Sequence, residues 1–425
     1  MPSGFFEFIP RMFQRAATTG LTLMVLLASA ALMVQSASGS QFKVLYRFKG
    51  NPEGHNPQYA ALIQDAAGNL YGTTEQGGRF DHGVVFKIAT IPKVKETVLY
   101  SFKGGSDGAM PIAALLMDAH GNLYGTTWSG GAFSAGTVFK ITTTPKVKET
   151  VLYSFKGGTD GANPAADLIL DAKGNAFYGT TYEGGTSNAG TVFKLTKTGE
   201  ETVLYNFTGG TDGANPSAGL VLDAKGNLYG AAINGGDVSC ALSSTGCGVV
   251  FKLTKAGRET VLYSFTAGAD GDGAFPMQSG NLVLDKKGRI YGTTPYGGLY
   301  DSCGDGCGVV FRVGNRGEVN LHGFAGGTDG SHPDGGAIFD AKGNLYGTTC
   351  TGGYGEGLGG YGIVFKITPA LQETLLHSFG PGENGNCPNA SLLMGASGEL
   401  YGTTQDGGNT NGNGLGNGVV FEITP

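Results

Sequence analysis

Oxygen-bearing side chains recur at one position of this sequence, five residues after a phenylalanine and directly before a glycine. Six of the positions are acidic and one is an amide: Glu53, Asp107, Asp160, Asp212, Asp270, Asp329 and Asn384. Carboxylate and amide oxygens are the ligands that calcium prefers, so a converging ring of them predicts a site for divalent cations or for a basic partner. The alternative is an Asx-type turn, in which each side chain accepts backbone N–H bonds beside a left-handed glycine.

A second acid accompanies the ring at one position only, in Asp270-Gly271-Asp272-Gly273. Asp270 and Asp272 are therefore the best candidates for a single calcium site. The ligand spacing of an EF-hand loop is absent, and calcium is the only cofactor that the sequence suggests.

Groups suited to catalysis are few. His55, Asp81 and His82 fall close together, and His332 and Asp334 form a second group far along the chain. They could meet in one metal or acid–base site, although each also suits an exposed polar loop. The sequence contains no known nucleophile motif, so no catalytic residue is predicted. A protein without catalysis is favoured, and whether the protein is an enzyme stays open.

The elements that position these residues come from a repeat. Gly-Asn-Leu-Tyr-Gly-Thr-Thr or a variant of it begins at seven glycines: Gly68, Gly121, Gly174, Gly226, Gly288, Gly343 and Gly398. Each copy contains four runs of five to seven residues, rich in Val, Leu, Thr, Phe and Tyr and separated by Gly and Asn turns, which predict four antiparallel strands, a to d. Four such strands repeated about an axis predict a seven-bladed β-propeller, and the 78 glycines mark its turns.

The ends of the repeat region favour a closed ring. The first run after residue 40 matches strand d with no a, b or c before it, and the last copy stops after its strand c. Pairing the N-terminal strand with the last blade would close the ring and remove exposed sheet edges, which a β-solenoid would not require. One all-β propeller domain is predicted for residues 42–425.

The cysteines can be placed on this repeat. Six cysteines allow 15 connectivities. Loop positions favour three disulfides on one face, Cys240–Cys247, Cys303–Cys307 and Cys350–Cys387. Zinc is the alternative for a cysteine cluster, but no histidine lies at ligand spacing from these thiols.

The repeat also resembles a known family. Asn-Leu-Tyr-Gly-Thr-Thr, Gly-Gly, Gly-Thr-Val-Phe-Lys-Leu and Glu-Thr-Val-Leu-Tyr-Ser-Phe are similar to elements of the GloVer tandem repeat of exported bacterial "choice-of-anchor" proteins. The resemblance covers about residues 42–425 and implies export and a repeat domain, without implying an activity. The chain departs from the family pattern in having no C-terminal sorting tail. The strand order is also similar to NHL-type propellers, which are usually binding platforms.

The N-terminus and the charge restrict the location and the partners. Arginines, an apolar run from Leu21 to Val34 and small residues after it are the layout of a secretory signal peptide over residues 1–37. The alternative is an N-terminal membrane anchor. A net charge of −6 without a basic stripe argues against nucleic acid, and no second apolar stretch predicts a membrane span. A secreted monomer, extracellular or periplasmic, is expected.

Function is less constrained than fold. The expected function is non-catalytic binding or scaffolding of a protein, peptide or glycan on the face with the longer loops. One alternative is an extracellular hydrolase or lyase with its site at the central channel mouth. The other is a purely structural surface protein. Propellers host many functions, so the fold alone does not choose among these.

Overall fold

A computed structural model describes residues 39–425 except 269–270, 277–279, 315–316, 354–358, 383 and 409–415. The predicted signal peptide, residues 1–37, and Asp270 lie outside the described residues. Within the described part of the chain, no helix is long and apolar enough to cross a membrane.

The chain forms seven four-stranded antiparallel blades. Strands a are Ile63–Gln64, Leu116–Met117, Ile169–Leu170, Val221–Leu222, Val283–Leu284, Ile338–Phe339 and Leu393–Met394. Strands b are Leu70–Thr74, Leu123–Thr127, Ala176–Thr181, Leu228–Asn234, Ile290–Thr294, Leu345–Thr349 and Leu400–Thr404. Strands c are Val84–Ala89, Thr137–Thr142, Thr191–Thr196, Val249–Leu253, Val309–Gly314, Ile363–Ile367 and Val419–Thr424. Strands d are Lys95–Ser101, Lys148–Ser154, Glu201–Asn206, Glu259–Ser264, Gly317–Gly323, Glu373–Ser378 and, for blade 7, Gln41–Arg47.

Smaller elements lie in the loops. Short strands are Gly54–His55 paired with Gln76–Gly77, Gly273–Ala274 paired with Tyr296–Gly297, and Ala214–Pro216 paired with strand b of blade 4. Single 3-10 turns span Gly158–Asp160, Asp301–Cys303 and Gly327–Asp329. The prediction of five to seven residues for every strand is wrong for strand a, which has two residues in each blade.

The turn between strands a and b follows the residues that were expected to form it. In blade 1, Asp65 accepts hydrogen bonds from the backbone N–H groups of Ala67 at 3.0 Å and Asn69 at 2.9 Å. Gly68 has φ +83°, the left-handed region that only glycine adopts without strain. The Asp side chain and the glycine thus fix the hairpin.

The blades are joined by a repeated aromatic contact that requires a glycine. In blade 1, the Gly72 Cα faces the Phe86 ring so closely that an added Cβ would lie 2.7 Å from Phe86 Cζ. Phe86 in turn meets Phe48, which precedes blade 1, edge to face at 5.1 Å between ring centroids. An equivalent pair of phenylalanines lies at each of the seven interfaces, with 5.1–5.3 Å between the ring centroids. Edge-to-face packing of buried rings therefore holds each blade to the next.

The N-terminal strand closes the ring. Gln41–Arg47 pairs antiparallel with Val419–Thr424, and this completes blade 7 as the sequence predicts. The pairing leaves no blade with an unpaired strand c.

The axis of the ring is closed by side chains that precede the strands a. The Asn281 amide donates to Asp167 Oδ2 at 2.9 Å, which joins blade 5 to blade 3. Backbone N–H groups of Asn281 and Gly336 donate to Ser391 Oγ at 3.3 and 3.1 Å, and that of Ala114 donates to Asp167 Oδ1 at 2.6 Å. We call Asp167, Asn281 and Ser391 the axial plug.

Candidate functional site

The repeated acids lie in turns on the face that carries the d-to-a and b-to-c loops. In the loop entering blade 2, Asp107 Oδ2 accepts from Lys103 N at 3.0 Å and from the Tyr100 hydroxyl at 2.7 Å. Asp160 and Asp212 accept the corresponding pairs of hydrogen bonds. Glu53 accepts from the Tyr46 hydroxyl. The Asx-type turn, in which the acid accepts a backbone N–H bond, thus explains why an acid recurs at this position of the repeat.

These contacts place the acids away from the channel mouth. Their tyrosine partners belong to strand d, the outermost strand of each blade, so the acids sit at the outer part of each blade interface. For Glu53, Asp107, Asp160 and Asp212 the contacts with strand d favour the turn over a ring at the mouth, and a binding role of the seven positions stays a prediction. Asn384 is exposed at the corresponding place before blade 7.

Blade 5 differs because its loop has two additional residues. Asp272, not Asp270, takes the turn position: its carboxylate accepts from Thr266 N at 2.7 Å, Gly268 N at 2.9 Å and the Tyr263 hydroxyl at 3.1 Å. Asp272 is buried and both of its oxygens are engaged by these donors. The loop was expected to offer Asp270 and Asp272 together to calcium, but Asp272 is committed to its own turn.

A second set of acids, which sequence reasoning missed, faces the first. Each comes from strand d of the next blade. At least one carboxylate oxygen of each is buried without a hydrogen-bond partner among the described residues: Glu96, Glu149, Glu201, Glu259, Glu318 and Glu373. We call them the interface glutamates. Burial, followed by the nearby acid, raises the pKa of the first five to about 7. The repeated Glu-Thr-Val-Leu motif was the available signal.

The seventh interface lacks both acids. Phe42 occupies the glutamate position and His377 the tyrosine position, and their rings stack 3.7 Å apart. Burial lowers the pKa of His377 to about 4. The closing interface is therefore held by a neutral aromatic stack.

Three disulfides hold the long loops: Cys240–Cys247, Cys303–Cys307 and Cys350–Cys387. They are the pairs expected from the loop positions. The first two close b-to-c loops of blades 4 and 5, and the third joins blade 6 to the loop entering blade 7.

Beside the third disulfide, polar side chains from four blades converge above the axial plug. We call them the mouth cluster: Gln58, Tyr59, Glu75, Tyr296, Asp334, Asn389 and Gln405. The Gln58 amide donates to Glu75, the Tyr59 N–H donates to Asn389 Oδ1 at 3.4 Å, and the Asn389 amide donates to Gln405 Oε1 at 3.0 Å. An Asp334 oxygen lies within 4.8 Å of both sulfurs of the Cys350–Cys387 disulfide.

The acids of the mouth cluster hold protons more strongly than usual. Burial raises the pKa of Asp334 to about 7. Burial also raises the pKa of Glu75, and the nearby His55 opposes this rise. Burial raises the pKa of Tyr59 as well, and the negative charges of Asp334 and Glu75 raise it further. Since Tyr59 belongs to blade 1 and Asp334 to blade 6, the charge of Asp334 acts on Tyr59 across the mouth.

The histidines of the expected metal or acid–base site lie in two separate places: His55 and His82 in blade 1, and His332 in blade 6. His55 Nε2 lies 3.4 Å from Asp81 Oδ1, and His82 is exposed on the same loop. His332 Nδ1 lies 2.7 Å from Thr351 Oγ1, and its ring packs against Tyr296 at 5.2 Å. Burial lowers the pKa of His332. Of the two blade 6 residues in the expected site, His332 contacts Thr351 and Tyr296, and Asp334 acts on Tyr59 of blade 1.

Exposed aromatic side chains share this face. Phe80, Phe133, Tyr296 and Tyr300 are exposed, and all four lie in b-to-c loops. Exposed apolar side chains on the opposite face, such as Ile91 and Leu371, are aliphatic. The loop face therefore presents aromatic rings around a polar mouth.

Sequence comparison agrees with the repeat seen in the blades. The profile of the Gloeobacter/Verrucomicrobia repeat matches residues 30–176, 150–320 and 238–425, which together span the whole propeller. The chain belongs to this repeat family. No curated protein matches this Gloeobacter/Verrucomicrobia repeat protein.

The solved structures that are similar to this chain have low sequence identity to it. The extracellular domain of a candidate one-component system from B. thetaiotaomicron is 13% identical, with a TM-score of 0.52 over 92% of this chain and 42% of that chain. A gluconolactonase from Xanthomonas campestris is 11% identical, with a TM-score of 0.44 over 93% of each chain. The calcium structure of a Trichoderma reesei family AA12 carbohydrate-active enzyme is 12% identical, with a TM-score of 0.43 over 92% of this chain and 96% of that chain.

Proposed function

We propose that this protein is an exported ligand-binding propeller that holds a neutral, hydroxyl-rich glycan over the mouth cluster. The observation that carries the proposal is the convergence of acids, amides and tyrosines at the mouth, with exposed aromatic rings on the loops around it. The apolar signal-like segment and the three disulfides support export.

The chemistry of the cluster favours hydroxyl groups as its partners. Carboxylates accept hydrogen bonds from hydroxyls, and the amides of Gln58, Asn389 and Gln405 both donate and accept. The cluster contains no basic side chain, so it offers an anionic ligand no counter-charge. Aromatic rings such as Phe80 and Phe133 supply apolar faces for the C–H surface of a sugar ring.

A glycan array with the labelled protein tests this proposal, followed by calorimetric titration of the glycan that binds. Asp334→Asn and Phe133→Ala are expected to weaken binding by about tenfold each, the effect of one lost contact of roughly 1.4 kcal/mol. Ile91→Ala, on the opposite face, is the matched control and is expected to leave the affinity unchanged. Binding of peptides but of no glycan would contradict the proposed ligand class.

A second candidate function is hydrolysis or elimination at the same mouth. The observation that favours it is the Asp334 carboxyl, whose pKa near 7 suits a group that both gives and takes protons at neutral pH. Tyr59, across the mouth, is a second proton-bearing group. Incubation of the bound glycan with the protein separates the two functions: intact glycan supports binding alone, and cleavage abolished by Asp334→Asn supports catalysis.

A further inference from the structure

Two blade interfaces have a histidine in place of the strand-d tyrosine, and of these the interface between blades 5 and 6 keeps both acids. Five interfaces bring a strand-d tyrosine together with a repeated acid and an interface glutamate. Between blades 5 and 6 the tyrosine is replaced by His322, which meets Asp329 and Glu373. An imidazole nitrogen binds transition metals well, whereas a protonated phenol does not.

The three side chains are buried and face each other. His322, Asp329 and Glu373 expose 8%, 14% and 1% of their side-chain surface. His322 Nε2 lies 3.4 Å from Asp329 Oδ1 and 3.9 Å from Glu373 Oε2. Neither His322 Nε2 nor either carboxylate oxygen of Glu373 has a hydrogen-bond partner within the described part of the chain. Buried polar atoms without partners cost stability unless another group satisfies them.

The spacing of these atoms suits a tetrahedral ion. Zinc binds nitrogen and carboxylate oxygen at about 2.0–2.2 Å, which separates two tetrahedral ligands by roughly 3.3–3.6 Å. The His322–Asp329 distance of 3.4 Å falls in this range. The His322–Glu373 distance of 3.9 Å needs a shift of about 0.3–0.6 Å, within the reach of a glutamate side chain.

The surroundings hold the ligands in place. Ala325 N donates to Asp329 Oδ2 at 2.7 Å and leaves Oδ1 directed at the histidine. The His322 ring packs edge to face on Phe324 at 4.7 Å, which fixes its plane. Such contacts orient metal ligands in proteins.

We propose that His322 Nε2 and one oxygen each of Asp329 and Glu373 bind a Zn²⁺ ion between blades 5 and 6, with a fourth position open to water. One imidazole and two carboxylates are too few ligands for calcium, which takes six to eight oxygens. The cation would balance the charges of the two carboxylates that lie side by side in this buried site. The site lies at the outer part of the ring, separate from the mouth cluster, and does not depend on the function proposed there.

Calorimetric titration of the chelator-treated protein with ZnCl₂ tests the site, together with thermal unfolding and the visible spectrum of a Co²⁺-loaded sample. We expect one equivalent of Zn²⁺, a rise in melting temperature, and the absorption of tetrahedral Co²⁺. His322→Tyr installs the side chain that the other interfaces already accommodate, so it is expected to fold. It is expected to weaken Zn²⁺ binding by more than about 100-fold, because loss of a residue that only supports a metal ligand costs up to about 100-fold and loss of a ligand itself costs more.

Two further variants complete the test. Glu373→Gln is expected to weaken Zn²⁺ binding as His322→Tyr does, and it provides an independent test of the site. His120→Gln, at an exposed turn, is the control and is expected to bind Zn²⁺ as the unmodified protein does. Absence of Zn²⁺ binding, or full Zn²⁺ affinity in both His322→Tyr and Glu373→Gln, would overturn the proposal.

Discussion

Replacement of one interface glutamate is expected to make the protein more stable at alkaline pH and to have a much smaller effect in mild acid. Glu201 is half-buried beside Asp160, and burial followed by the charge of Asp160 raises its pKa from 4.5 to about 7. Because this folded-state pKa lies above the unfolded value, the favourable contribution of the protonated group is complete below pH 4.5 and is lost as the pH rises through about 7. At pH 8, the folded protein therefore carries an unfavourable charge that Glu201→Gln removes.

The magnitude follows from the shift. A rise in the pKa from 4.5 to about 7 corresponds to about 3 kcal/mol as an upper limit. Solvent screening of a half-exposed side chain reduces this to about 1–2 kcal/mol. Glu201→Gln should thus raise the free energy of unfolding by about 1–2 kcal/mol at pH 8 and by roughly a quarter of that at pH 5, where the carboxyl of the unfolded chain is already mostly ionised.

Urea unfolding of the two proteins at pH 5, 6, 7 and 8 measures this difference. Glu200→Gln is a matched control, since Glu200 is the neighbouring residue but is exposed, and it should change stability little at any of these pH values. An equal effect of Glu201→Gln at pH 5 and pH 8, or destabilisation at pH 8, would refute the reasoning.

Three other predictions concern packing, crosslinks and ring closure. Gly179→Ala would place a Cβ 2.6 Å from Phe193 Cζ and should lower the free energy of unfolding by about 1–3 kcal/mol in urea unfolding. Replacement of Cys350 and Cys387 by serine opens a crosslink across a sequence separation of 37 and should cost about 4 kcal/mol by chain entropy, measured in the same way. Deletion of Gln41–Arg47 removes strand d of blade 7 and should abolish the single cooperative transition in calorimetry.

Each of these predictions has a control. Gly105→Ala has open space around the new Cβ and should be nearly neutral, so an equal cost would contradict the contact with Phe193. Serine replacement of Cys303 and Cys307, separated by 4 in sequence, should cost about half as much as the larger loop. A peptide of residues 39–48 added to the deletion variant should restore the transition if strand pairing is the cause.

The sequence predicts the ring well because its information is local and repeated. The Asp65 turn, the Tyr-Gly-Thr-Thr strand and the closing strand at Gln41–Arg47 follow from residue type and order. Strand a was predicted too long because the residues ahead of it, such as Asp167 and Asn281, bond to other blades across the axis instead of to strand b. An alternating apolar pattern does not distinguish these two kinds of partner.

The sites are less predictable because they depend on contacts between blades. The repeated acids are visible in the sequence, but their partners are one repeat away, and the register between blades is not encoded in the spacing. Asp334 in blade 6 and Tyr59 in blade 1 are likewise far apart in the sequence, and closure of the ring through blade 7 brings them near each other. Histidine replaces the repeated tyrosine at two positions in the sequence, His322 and His377, and only the contacts between blades show that His322 meets two acids whereas His377 stacks on Phe42.

The axial plug makes the two ends of the propeller axis inaccessible to each other. Hydrogen bonds among Asp167, Asn281, Ser391 and their backbone neighbours cross the axis directly beneath the mouth cluster. A molecule that reaches the mouth must therefore leave by the side from which it arrived, and a long polymer can touch the mouth with an end or a bend but cannot be threaded through the ring. For the glycan proposed to bind at the mouth, the axial plug therefore favours chain termini and branch points over the middle of a threaded chain.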